Sequence, residues 1–123
     1  MIKKIDHVVI TTEKMEACIA FYKKIGFEAR ESSGRQELFA GDFKINVHIR
    51  GGELHPHAQN VMSGSADLCL EVDGDIHQLK EEFIGKGIEI ELGVVARMGT
   101  MGPMKSLYIR DVDGNLIEFC SYE

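Results

Sequence analysis

The sequence predicts an α+β fold in which one βαβββ module of about 60 residues is written twice. Three observations predict it. The order strand, helix, three strands runs through the first half and recurs after residue 64. The helix exits match, with Lys24-Ile25-Gly26-Phe27-Glu28 over Gly85-Lys86-Gly87-Ile88-Glu89. The opening strands match too, with His7-Val8-Val9-Ile10 over Asp67-Leu68-Cys69-Leu70. Neither half carries enough apolar residues to be comfortable alone, so their sheets are expected to share a buried interior.

Each element has its own reason. Ile5 to Ile10 is a β-branched run and reads as a strand. Thr12 is a candidate cap for a helix over 13–25, where Met15, Cys18, Ile19, Phe21, Tyr22 and Ile25 fall at helical spacing. Gly26 stops it. Phe27 to Glu31, Glu37 to Ala40 and Phe43 to Ile49 read as strands, separated by Ser32-Ser33-Gly34-Arg35 and Gly41-Asp42. Residues 51–64 hold three glycines, a proline and two histidines without periodicity, and read as a linker or active-site loop. The second module then runs over 65–123. Asp67 to Val72 is a strand, and Asp75 begins a helix with Ile76, Leu79, Phe83 and Ile84 as its apolar stripe. Ile88 to Leu92, Lys105 to Arg110 and Leu116 to Phe119 complete it. Module one is thus 1–50, and the whole is one domain of eight main strands and two main helices.

Composition narrows the partners. The chain carries 20 acidic against 14 basic residues, with no basic cluster, which argues against nucleic acid and anionic membranes. No stretch approaches the ~20 apolar residues of a membrane span. The opening Met1-Ile2-Lys3-Lys4-Ile5-Asp6-His7 lacks the long apolar core of a secretory signal, so a cytoplasmic protein is expected. Cys18, Cys69 and Cys120 have no short metal-binding spacing, and each lies in an apolar stretch. They read as reduced, buried thiols.

Two stretches resemble the vicinal oxygen chelate superfamily, which spans glyoxalases, bleomycin-resistance proteins and extradiol dioxygenases. Ile5-Asp6-His7-Val8, followed by Phe21-Tyr22 and Gly26-Phe27, resembles the family's opening. Ser106 through Glu118, containing Arg110-Asp111-Val112-Asp113-Gly114-Asn115, resembles its closing strand pair. The middle, Lys44 to His48 and Gly64 to Cys69, is similar to a small subgroup of glyoxalase-domain proteins. The resemblance covers almost the whole chain but fixes no reaction, because this fold hosts many chemistries. It implies two βαβββ modules whose curled mixed sheets enclose a cavity, helices outside, with ligands from the first and last strands of each module.

Strand parity shows which residues suit that role. His7 shares a face with Val9, and Asp67 takes the matching place in module two. Glu118 shares a face with Leu116 and Cys120; Asn46 shares one with His48. The repeat alone does not say whether Asn46 or His48 matches Glu118. Imidazole is the better donor, so the expected ligand set is His7, His48, Asp67 and Glu118 around a divalent Ni, Co, Mn, Zn or Fe. A histidine after Asp at a strand start is equally able to be merely hydrogen-bonded, and a Glu in Leu-Ile-Glu-Phe to face solvent. Glu118 and Asp67 are the candidate general bases. Tyr108, Asn46 and Arg110 are the candidate substrate contacts.

The resemblance leaves three functions open. A glyoxalase-like isomerase or lyase would chelate vicinal oxygens of a small substrate. An extradiol ring-cleaving dioxygenase would use a 2-His-1-carboxylate triad, but its second histidine is Asp67 here. A drug- or metabolite-binding resistance protein would need no metal, and the absence of Trp weakens an aromatic trap. A homodimer is expected, since cyclic dimers are the commonest soluble oligomers. Arg97 to Met104 reads as either a mobile lid or an ordinary hairpin. His55 and His57 read as exposed loop histidines.

Overall fold

A computed structural model describes all 123 residues, and the expected order of elements is present. Module one comprises β1 (His7–Thr12), α1 (Met15–Lys24), β2 (Glu28–Ser32), β3 (Arg35–Ala40) and β4 (Phe43–Ile49). Module two comprises β5 (Asp67–Glu71), α2 (Ile76–Gly85), β6 (Leu92–Gly99), β7 (Gly102–Arg110) and β8 (Leu116–Ser121). The sheets have equivalent orders, β1-β4-β3-β2 and β5-β8-β7-β6. In each, the first strand lies parallel to the last and the other pairs are antiparallel. The parallel pair needs a crossover, which the helix and the next two strands supply.

The chain divides into two compact units. One is Met1–Ser65 with Val112–Gly114; the other is Ala66–Asp111 with Asn115–Glu123. The loop over 51–64 therefore belongs with module one. Each unit has its own core. In the first, Cys18 and Tyr22 of α1 are buried, as are Phe27 and the alternate strand residues Ile10, Leu38, Ile45 and Val47. In the second, Ile76 and Phe83 of α2 are buried with Leu107, Ile109, Ile117 and Phe119. Phe83 and Phe119 meet edge to face, 5.0 Å between centroids. Period-2 alternation thus turns one face of each sheet to its helix and leaves the other for polar side chains.

The Asp111 to Asn115 motif is architectural. Asp111 accepts hydrogen bonds from the Asn115 backbone N–H and from Asn115 Nδ2, at 2.9 and 2.8 Å. Asn115 Oδ1 in turn accepts from Ala66 N at 2.9 Å. Asn115 and Asp111 are buried, so these bonds replace lost hydration and set the starts of β5 and β8 side by side. In the first unit, Asp113 Oδ2 accepts from Thr12 Oγ1 at 2.5 Å, and its Oδ1 from Glu13 N at 3.1 Å.

Several local expectations change. Residues 88–91 are not a strand; β6 begins at Leu92 and continues into the segment read as a possible lid. Residues 97–104 are a β6–β7 hairpin, with Arg97 opposite Met104 and Gly99 opposite Gly102. A register shift between Gly93 and Val95 interrupts the pairing, and a Cβ on Gly93 would stand 2.7 Å from the Leu107 Cα. Thr12 does not cap α1: Lys14 holds the N-cap place with no side-chain cap, while Asp75 does cap α2 through His77 N at 2.9 Å. Ile84 leaves the apolar stripe for solvent. Cys18 and Cys120 are buried free thiols, but Cys69 is exposed, because it lies on the open face of β5.

Candidate functional site

In module one the open face carries the predicted donors. The β1–β4 register pairs His7 with Lys44, Val9 with Asn46 and Thr11 with His48. His7, Asn46 and His48 therefore share one face and line one cavity of about 280 Å³, together with Arg35, Gln36 and His55. His7 Nδ1 lies 2.7 Å from Asp6 Oδ1. That contact, with the His7 charge next to it, holds the Asp6 carboxyl below its usual range. It also directs Nε2 away from Asp6, the arrangement that orients a metal-binding imidazole. Asn46 Oδ1 is buried without any hydrogen-bond partner. A lone buried carbonyl oxygen costs roughly 1–3 kcal/mol, so it invites an external donor or cation.

In module two the register pairs Asp67 with Leu116, Cys69 with Glu118 and Glu71 with Cys120. Tyr108 stands opposite Glu118 and Arg110 opposite Leu116, so all share the open face. Glu118 is half-buried with no cationic partner. The Cys69 thiol is pushed far up by desolvation, then by Cys120 and by Glu118 beside it. A thiol so held is no nucleophile. Tyr108 Oη accepts from Arg97 Nε at 2.9 Å. Arg110 donates to both oxygens of Glu91, at 2.8 and 3.0 Å, and Glu91 is held below its usual range by that pairing. An anionic substrate would have to displace Glu91 to use that guanidinium. Asp67 is exposed and engaged by no hydrogen bond, and its charge acts on the Arg110 guanidinium.

Placing the modules in register answers the question that strand parity left. With Asp67 over His7, Cys69 falls over Val9, Glu118 over Asn46, and Cys120 over His48. Asn46, not His48, is the counterpart of Glu118. Matched positions at the first and last strands of a repeated βαβββ unit now stand beside a match of residues 4–119 to a family model. The match is to the glyoxalase/bleomycin resistance protein/dioxygenase superfamily. The chain belongs to that superfamily.

Relatives of this superfamily agree along the whole length. A glyoxalase domain-containing protein, RDO1, of Mycosarcoma maydis is 38% identical over 99% of this chain and 70% of its own. Virulence protein STM3117 of Salmonella typhimurium is 40% identical over 99% of this chain and 86% of its own. Its crystal structure superposes with a TM-score of 0.97 over 100% of this chain and 99% of that one. The lactoylglutathione lyase of Agrobacterium tumefaciens shares the fold, with a TM-score of 0.76 at 20% identity over 99% of this chain and 96% of that one.

The donor types suit the divalent ion that superfamily members commonly hold. Imidazole Nε2 of His7 and the carboxylate of Glu118 are ligands such ions accept. No three His, Cys, Asp or Glu side chains converge within the structure. His55, Arg35 and Gln36 were not singled out as site residues by sequence reasoning, yet they line the module-one cavity. His55 sits in the 51–64 loop, and Arg35 and Gln36 open β3 where the sequence reads as a turn running into a strand from Glu37.

Proposed function

We propose that this protein is a divalent-metal-dependent enzyme of glyoxalase type, an isomerase or lyase acting on a small substrate with vicinal oxygens. The observation that carries this reading is the His7 imidazole oriented by Asp6 at the start of β1, with the half-buried Glu118 carboxylate, which has no cationic partner, on β8. His7, Glu118 and Asp67 would hold the ion, with Asn46 or His48 as the fourth donor; the unpartnered Asn46 Oδ1 favours the amide. A bound ion supplies Lewis-acid polarisation of the substrate oxygens. The proposed donors are divided between the modules, and a homodimer is the proposed assembly.

The chain's own residues supply the remaining chemistry. Asp67, exposed and engaged by no hydrogen bond, is the first candidate base to take a proton from carbon beside a carbonyl. Glu118, half-buried, is the second candidate base. Tyr108 has its oxygen already accepting from Arg97, which leaves its O–H to donate to a substrate oxygen. Asn46 holds a substrate hydroxyl wherever the ion does not engage its oxygen.

The test is metal analysis of the purified protein and of two variants. One divalent ion per chain is expected. His7→Ala and Glu118→Ala should each lose it while keeping a native circular dichroism spectrum. Asp6→Asn should weaken retention about 10- to 100-fold, the usual effect of removing a group that orients a ligand. Metal content unchanged in both alanine variants overturns the assignment. A second reading, a metal-free binder of small molecules, is favoured by the cavity of about 280 Å³ on the module-one face. Ligand affinity that survives complete chelation would select it.

A further inference from the structure

The open face of module two holds a second cavity, of about 580 Å³, with an unusual lining. Five sulfur-bearing residues line it: Cys69, Cys120, Met98, Met101 and Met104. Cys69 and Cys120 lie on the adjacent parallel strands β5 and β8, one directly opposite Glu118 and the other two residues beyond it. Both are reduced, and the two thiols are close enough to perturb one another's ionisation. Cys120 is buried while Cys69 opens to solvent, so the pair has a floor and an entrance. The methionines arrive on the β6–β7 hairpin. Tyr122 secures that hairpin by accepting from Met101 N at 3.2 Å. Gly99 lets it close up, since a Cβ there would lie 2.2 Å from Tyr122 Oη and 2.6 Å from Met104 Sδ.

Thiol and thioether sulfurs are soft donors, and soft donors select Cu(I) over the harder divalent ions. A tetrahedral zinc site needs four ligands. Here no three His, Cys, Asp or Glu side chains converge, although Glu71 and Glu118 line the same cavity. A monovalent d¹⁰ ion is satisfied by two or three sulfurs, which this cavity offers. The carboxylates of Glu71 and Glu118, which line the same cavity, draw in a cation. The third cysteine, Cys18, is fully buried in module one and has no part in the cavity.

We propose that this cavity is a soft-metal site, taking Cu(I) or Ag(I) through Cys69 and Cys120 with a methionine thioether from the hairpin. Binding forms two metal–thiolate bonds and releases two protons to solvent, with no change of oxidation state. The site does not depend on the divalent-ion reading and stands if that reading fails. The whole protein is titrated without oxygen with Cu(I) buffered by bathocuproine disulfonate, the colour of the chelate reporting what the protein removes. One Cu(I) per chain is expected. Cys69→Ser and Cys120→Ser should each weaken binding at least about 100-fold, as loss of a ligand costs no less than loss of its supporting groups. Cys69 is exposed, so its variant tests the ligand without disturbing the core. The triple Met98→Leu, Met101→Leu, Met104→Leu variant should weaken binding about tenfold, and Cys18→Ser should leave it unchanged. Parent and Cys69→Ser proteins competing equally for Cu(I) would overturn the site. Unchanged affinity in the triple variant would remove the thioether from it.

Discussion

Where module one places Val9 beside Asn46, module two places Cys69 beside Glu118. The sheets have equivalent strand orders, and one face of each packs on its helix. The open faces differ in chemistry. Module one offers imidazoles and an unpartnered amide oxygen, from His7, His48 and Asn46. Module two offers carboxylates and sulfurs, from Asp67, Glu118, Cys69 and Cys120. A repeated module has to conserve only the face that packs on its helix, because that face sets its stability. The other face is free to diverge. The imidazoles have gathered on one module, and the carboxylates and sulfurs on the other.

The comparison can be broken first at the cores. Tyr22 and Phe83 occupy corresponding helix positions and are almost fully buried. Tyr22→Ala and Phe83→Ala should each cost ~3–5 kcal/mol in urea unfolding, the usual range for emptying a large aromatic site. A loss confined to one of them would show that the modules do not share the burden equally.

Exchange of the register-matched residues comes next. Glu118→Asn gives module two the amide of module one, and should weaken divalent-metal retention at least about 100-fold. His48→Ala should weaken it less than Asn46→Ala does, if register decides the fourth donor. Competition with a metal-sensitive dye reads both, and the reverse order would restore His48.

The helix starts give a smaller contrast. Asp75 caps α2, whereas no side chain caps α1. Asp75→Ala should lower stability by about 1 kcal/mol, and Lys14→Ala should leave the thermal midpoint nearly where it was. Asp67 is expected to show the smallest structural effect. It is exposed and engaged by no hydrogen bond, so Asp67→Ala should change unfolding free energy by less than about 0.5 kcal/mol while abolishing activity. A clearly lowered midpoint would mean that the carboxylate serves the fold instead.

Much of this architecture was legible in the residues themselves. The alternation in Phe43 to Ile49, the stripe of Cys18 and Tyr22, and the paired Gly26 and Gly87 exits are local signals, and a repeat doubles each of them. Strand parity likewise put His7, Asp67 and Glu118 on open faces, because side-chain direction along a strand has a period of two. Parity could not separate Asn46 from His48, since both have the same sign; only the pairing of β1 with β4 does that. Nor could it extend β6 through Val94 to Gly99, where a register shift at Gly93 breaks the alternation. The sulfur-lined cavity was equally invisible, as Cys69, Cys120 and Met101 lie far apart along the chain. Short-range patterns determine which residues form an element and which way they point. Which of them meet is decided by hydrogen-bond register and by contacts between distant strands, and these exist only once the chain has folded.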